Sequence, residues 1–302
     1  MCRMRKKKVQ MMTRTQRILN WIMFSLILIW SLTLIYSLCW MFFAAFKDTF
    51  EYFVNPFGFP DLEFATLENY ERAFNKLYVT VYNGDEPRNV YFAELLFNSV
   101  YFTFVPAFLS IFVPTLVSYI CAKYDFWFNK VLSGTVIMLI LLPISPSLAS
   151  ALHVFQQFGL YDNFFGVFVM KYSYVGITFL YMSGAWKGVA NDYRDAAFID
   201  GAGHFRTFFT VMFPLVNNVF MMFFLQQIIG WWNTWDFTYI YMPSYPNLAQ
   251  AVYNIQFSTD NQLSIKPVQL AVATITLVPS LLFFVVFKNK IMSQISFGGL
   301  KG

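Results

Sequence analysis

The sequence predicts an all-α membrane protein with six transmembrane helices, and three observations carry that prediction. The first is composition: of 302 residues, 58% are hydrophobic and only 12% charged. Soluble domains carry roughly a quarter charged residues, so a water-soluble core of this size would lack the polar surface to cover it. The second is a set of charge-free stretches at 18–46, 95–122, 131–161, 172–186, 207–235 and 267–287. A spanning helix needs about 20 mostly apolar residues. The third is the distribution of basic residues, which collect on one side of a six-span chain and place both termini in the cytoplasm.

Taken in order, residues 1–17 (MCRMRKKKVQMMTRTQR) form a basic cytoplasmic tail. The apolar run that follows is too long for the core of a cleavable signal, which is about 7–15 residues, and reads as a retained first helix. Residues 18–288 then form one transmembrane domain, and 289–302 a cytoplasmic C-terminal tail. Within the domain, residues 47–94 carry Pro, Gly and many aromatics and read as a folded external lobe. Pro143, Pro146 and Gly159 interrupt the long third stretch, and the fourth is short. Residues 236–266 form a second external loop.

With this topology only Lys47, Arg72, Lys76, Arg88, Lys171 and Lys266 of the 21 basic residues lie outside. Of the 16 acidic residues, Asp125, Asp192, Asp195 and Asp200 alone lie inside, so the external face is locally negative. Cys2, Cys39 and Cys121 are scattered and odd in number and read as small apolar residues, not as a disulfide framework or metal site. Lys171 reads as a surface lysine with a buried stem and hydrated head, with a role facing an acidic solute as the alternative. His153 reads as a hydrogen-bonded interfacial residue.

The cytoplasmic loop 187–213 interrupts the apolar pattern with NDYRDAAFIDGAGHFRTFFTVMFP, residues 191–214. Its chemistry predicts two short helices joined by a turn. Asp192 is placed as N-cap with Asp195 three residues on, a variant of the capping box. Asp200-Gly201 is a break, since glycine tolerates the positive φ that ends a helix. Pro214 suits the first turn of the next span, where its missing N–H costs nothing.

This segment resembles the EAA loop of importer permeases of the ATP-binding-cassette (ABC) class. Ala196, Ala197, Asp200, Gly201, Ala202, Phe208 and Pro214 match the pattern; Asp195 stands where Glu is usual and Ala190 where many members have Pro. FFAAFKD after the first span, GLYDN before the fourth, WWNTWDF at the end of the fifth and the closing GGLKG extend the likeness over the chain. It is similar to the second permease of maltose-type carbohydrate importers, and its closing Lys-Gly to a Gram-positive branch handling polysaccharide fragments. The resemblance implies a type I ABC importer permease fold. It also implies a coupling helix seated on an ATP-hydrolysing subunit, through Asp195, Ala196, Ala197, Asp200, Gly201 and Ala202.

The implied partners are a homologous second permease, two ATPase subunits and an extracytoplasmic solute-binding protein docked on 47–94 and 236–266. The implied cargo is a carbohydrate, and ATP and magnesium would reside on the ATPases, leaving no cofactor here. A multi-pass place in the bacterial cell membrane follows. For the solute path, polar and aromatic side chains of span five stand out: Gln226, Gln227, Trp231 and Asn233, followed by Trp232, Trp235 and Asp236, with Asn98 and Tyr181 weaker. Aromatic faces stack on sugar rings and amides read hydroxyls; an interfacial aromatic belt is the competing reading.

Other classes fit poorly. No G-x-x-x-x-G-K-[ST] is present to cradle ATP, and no H-E-x-x-H or G-x-S-x-G supports an intramembrane enzyme. A secondary transporter would need ionisable residues in mid-span and inverted repeats, and neither is evident.

Overall fold

Thr13 opens the first helix with a reciprocal cap: its hydroxyl accepts from the Gln16 N–H while the Gln16 side chain accepts from the Thr13 N–H. From there α1 runs Arg14–Ala44. The computed structural model describes residues 13–61, 63, 65–83, 86–142, 148–171, 173–258 and 263–297.

After α1 come α2 (Thr49–Val54), α3 (Glu68–Lys76), strands β1 (Tyr78–Asn83) and β2 (Glu86–Tyr91), and α4 (Phe92–Lys123). α5 (Asn129–Leu141), α6 (Leu148–Gln157), α7 (Gly166–Met170), α8 (Ile177–Lys187), α9 (Asp192–Ile199) and α10 (His204–Arg206) follow. A π-helical turn, Thr207–Met212, leads without a break into α11 (Phe213–Trp232). The chain continues through α12 (Asp236–Tyr241), α13 (Leu248–Gln256) and α14 (Lys266–Phe297).

Among the described residues, four helical stretches are long and apolar enough to cross a membrane: Arg14–Ala44, Phe92–Lys123, His204–Trp232 and Lys266–Phe283. They coincide with the first, second, fifth and sixth apolar runs of the sequence. α5, with 13 residues, and α8, with 11, are shorter. Pro143 and Pro146, read as interrupting the third run, lie outside the described residues, as do Cys2 and the tail 1–12.

The segment 47–94 corrects the all-α expectation. β1 and β2 pair antiparallel from Tyr78↔Tyr91 to Asn83↔Glu86. Val79, Val81 and Val90 turn inward and are buried while Tyr78, Thr80 and Tyr82 face out, the period of two that a half-buried strand requires. The Thr80 hydroxyl and Asn89 amide oxygen bond across the pair at 2.8 Å. Charged Glu86 and Arg88 and a proline at 87 dilute the apolar alternation of β2.

Packing divides into three cores. The hairpin and α3 share one with Trp232, Leu248 and Val268 beneath the outer ends of α11, α13 and α14. Ile111, Trp186, Phe208, Met212 and Phe220 bind α4, α8 and α11 in a second. Phe102, Val167, Phe237 and Met242 form the third, joining α4 to α7 and α12. α4 threads all three although it holds Pro106 and Pro114. Within a bundle, neighbouring helices help to tolerate such prolines; α8 is tied to α4 by the indole N–H of Trp186, which donates to the Thr115 carbonyl at 3.1 Å.

Polar ties lock the outer loops. Asp162, at φ 51°, accepts both the N–H (2.9 Å) and the hydroxyl (2.6 Å) of Ser244. The buried Asn98 amide donates to the Pro246 carbonyl at 2.9 Å, which makes Asn98 a structural residue. His153 pairs with Gln157 one turn along α6 at 3.0 Å.

Candidate functional site

Residues 191–214 form the expected helix, turn and helix. α9 ends in a full Schellman arrangement: the Ala202 N–H bonds the Ala197 carbonyl and the Gly201 N–H bonds the Phe198 carbonyl, each at 3.0 Å. Gly201 sits at φ 79°, the left-handed conformation that closes this motif. The start of α9 differs from expectation. The N-cap position belongs to Asn191, not Asp192, and carries no side-chain cap bond. With φ −68° and ψ −24° Asn191 is already helical, whereas a capping side chain needs an extended residue. Its amide oxygen is engaged elsewhere, and Asp195 bonds the Arg194 side chain at 2.9 Å in place of completing a box.

What engages Asn191 is the end of α4. The Lys123 ammonium donates to the Val189 carbonyl and, at 3.0 Å, to the Asn191 side chain. In return the Arg194 guanidinium donates to the Lys123 carbonyl and lies 5.3 Å from the centre of the Tyr124 ring. The Tyr124 hydroxyl meets His204 Nδ1 at 3.0 Å, and the His204 ring sets its edge against Phe198. Beneath these, Tyr119 packs on Trp186 and Phe208, both at 4.9 Å between centroids. The loop is thus bolted to α4 and α8 through both of its short helices. Lys123, Tyr124, Arg194 and His204 escaped the sequence reading, because contacts to main-chain carbonyls some seventy residues away leave no local pattern.

The outward side of the loop is bare. Asp195, Ala196, Asp200 and Gly201 are exposed, Ala202 is half-buried, and Ala197 is packed inward against the protein. Asp192, Ala196, Asp200, Ala202 and Arg206 line a shallow groove between α9 and the π-helical turn. Flanking it, Ile199 is 87% exposed and Phe205 84%. Small residues in the groove and two large exposed apolar side chains at its edge leave this face of the loop uncovered. The π-helical turn links this surface to α11, a geometry often found where function needs a break in helical register.

Along α11 the four path candidates divide between two faces. Leu215, Asn218, Met222, Gln226, Ile229 and Asn233 recur every three or four residues and are all exposed. This stripe carries polar amides at three levels of an otherwise apolar helix. Gln227 and Trp231, one turn apart, lie on another face and are half-buried. Trp231 belongs to the third core, edge-on to Phe237. Lys171 completes that corner, its ammonium 4.4 Å from the Trp231 ring centre and 4.5 Å from that of Phe237. It is thus held between aromatic faces and not simply hydrated at the surface. Asn233 opens instead onto a groove with Trp232, Trp235, Tyr253, Gln256 and Thr276. There Trp235 and Tyr253 stack at 3.6 Å and 9°. Tyr181 is exposed and leans on Phe223.

Residues 114–289, more than half of the chain, match the family described as the inner membrane component of binding-protein-dependent transport systems. The chain belongs to this family. Among curated relatives, the diacetylchitobiose uptake system permease protein NgcG of Streptomyces coelicolor is 23% identical over 288 residues, covering 91% of this chain and 86% of the relative. The arabinooligosaccharides transport system permease protein AraQ of Bacillus subtilis is 21% identical over 229 residues, covering 74% and 78%. Among solved structures, a chain of a bacterial ABC transporter involved in the import of the acidic polysaccharide alginate superposes with a TM-score of 0.74 at 16% identity, covering 92% of this chain and 98% of that one.

The family match of this permease takes in the bolted loop, its anchor at Lys123 and Tyr124, and α11 to α14. With several apolar helices of spanning length, the chain is a membrane component of a transport system. α1, the external lobe and the first part of α4 lie outside the matched stretch.

Proposed function

We propose that this permease is one of two homologous membrane subunits of an ATP-driven importer that carries an oligosaccharide into the cell. Two ATPase subunits hold the ATP and magnesium, and an extracytoplasmic binding protein delivers the solute to the 47–94 and 236–266 loops. The chain crosses the membrane six times, with α5 to α6 and α8 supplying the shorter third and fourth crossings, and both ends lie in the cytoplasm. The segments before residue 18 and after residue 288 are cytoplasmic tails.

The observation that carries the coupling role is the loop at 191–214: a groove of small residues facing outward, with two bare apolar side chains beside it and four side chains bolting its back to α4. A partner that grips Asp195, Ala196, Asp200, Gly201 and Ala202 moves α4 and α8 with it, as rigid bodies packed at an interface do. The inward Ala197 serves by letting α9 lie close to the protein. The carbohydrate reading rests on the relatives' cargoes and on the amide stripe of α11. Amides directed at lipid are costly, so Gln226 and Asn233 face either the path or the sister subunit. Gln227 and Trp231 take the inner side.

The test is uptake in proteoliposomes containing the co-expressed complex, with ATP hydrolysis measured in parallel. Gly201→Trp leaves the complex inserted and hydrolysing but abolishes uptake if the loop couples the two. Normal uptake by this variant would remove the loop from the mechanism.

A further inference from the structure

The segment after α1 carries a feature that neither the coupling loop nor the solute path along α11 uses. Residues 52–60, YFVNPFGFP, hold no charge, although Glu51 and Asp61 flank them. Within and beside them Phe50 is 76% exposed, Phe53 88%, Phe57 70% and Phe59 73%. Four bare phenylalanines within ten residues form an apolar patch of the kind that marks a protein or membrane contact.

The segment does not project away from the bundle. It folds back along α1. The Trp40 indole donates to the Pro56 carbonyl at 2.7 Å, and the Tyr36 hydroxyl donates to the Phe57 carbonyl at 2.9 Å. Phe57 packs on Trp40 and Phe59 on Phe43, at 5.9 and 5.3 Å between centroids. Tyr36 lies eight residues before the end of α1 at Ala44, which at a 1.5 Å rise places it about 12 Å along the helix axis. The loop therefore runs beside the outer part of a spanning helix whose apolar window has no buried residue.

Several main-chain groups in this loop are met by the protein itself. Asn55 donates its N–H to the Glu51 carbonyl at 2.9 Å, and its own carbonyl accepts from the Lys47 ammonium. Pro56 has no N–H to satisfy. The Gly58 N–H donates to the Asn55 side chain at 3.0 Å, and a Cβ at 58 would lie 2.2 Å from the Asn55 amide nitrogen and push that side chain aside. Side chains that reach back to cap loop carbonyls are unnecessary in water. They are what a non-helical segment requires where water is scarce.

We infer that residues 50–59 form an aromatic plug that dips into the bilayer interface beside α1, with lipid as its partner. Trp40 and Tyr36 sit where amphipathic rings collect, and here they hold the loop at that depth. The inference rests on α1 crossing the bilayer and is independent of the solute and of the coupling loop.

The experiment places a nitroxide on single cysteines at 53, 59 and, as a reference on the hairpin, 82, with the native cysteines replaced. The co-expressed complex in phosphatidylcholine nanodiscs is then probed by power saturation with oxygen and with a nickel chelate. Labels at 53 and 59 should respond to oxygen at least several-fold more than to nickel, with the reverse at 82. Trp40→Phe, which keeps the ring and removes the donor, should move position 59 toward nickel access. Nickel access at 53 and 59 equal to that at 82 would place the loop in water. Protection from both reagents would assign the patch to a protein partner. Either result, or no response to Trp40→Phe, overturns the inference.

Discussion

Arg194 donates to the main-chain carbonyl of Lys123, while the Lys123 ammonium reaches back to the Val189 carbonyl and the Asn191 side chain. This reciprocal grip joins the start of α9 to the last turn of α4. A displacement of α9 would therefore be resisted by, or passed to, α4.

Removing one side of the grip leaves buried polar groups unpaired. Arg194 is only 17% exposed at its side chain, and a hydrogen bond to a charged group contributes about 1.5–3 kcal/mol. Arg194→Ala should lower stability by that order in detergent and reduce uptake more than it reduces ATP hydrolysis in the complex. Equal losses in both rates would point to assembly, not transmission.

Ile199 and Phe205 are bare in the isolated chain, so replacing them leaves the fold untouched. Ile199→Ser with Phe205→Ser should give an unchanged Tm for the permease alone and at least tenfold weaker retention of the ATPase on co-purification. Loss of an apolar anchor at an interface costs about 1–2 kcal/mol or more. Retention at the level of the unaltered chain would remove them from the interface.

Polar amides on the exposed stripe of α11 should matter to passage and not to folding. Replacing Gln226 and Asn233 together by Leu and Ala is expected to cut uptake severalfold, with the complex still recovered intact. Transport at the original rate would move the path away from this helix.

Lys171 supplies a pH dependence. Burial against Trp231 and Phe237 lowers its pKa from 10.5 to about 8, with the nearby charge of Asp236 opposing. The unfolded chain therefore binds more protons between about 8 and 10.5, and stability rises with pH across that window. Below about 8 both states carry the charge and the full penalty remains. Tm in detergent should climb from pH 8 to pH 10, and Lys171→Met should flatten that climb. Identical slopes for the two proteins would refute the assignment.

The long helices were legible because a bilayer imposes a length and an apolar composition that a chain cannot disguise: the run 95–122 lies inside α4, Phe92–Lys123. The turn at Asp200-Gly201 was legible because one residue type meets its φ. The hairpin was not, since Glu86, Pro87 and Arg88 mask the alternation that Val79, Val81 and Val90 keep. Neither was the division of Trp231 from Asn233. Two residues apart reads as one cluster along a sequence, but on a helix it is a turn of about 200°. The grip on the loop was hidden for another reason: a lysine at 123 and an arginine at 194 look like ordinary interfacial cations until the fold supplies their carbonyls.

The most direct measurement of the central claim is a photo-activated cross-linker at position 199 in the co-expressed complex, with Phe53 on the external side as the reference position. The account predicts an adduct between position 199 and the ATPase subunit, lost in the Gly201→Trp variant, and none from position 53. An ATPase adduct from 53, or its absence from 199 in a complex that hydrolyses ATP and transports, would contradict it.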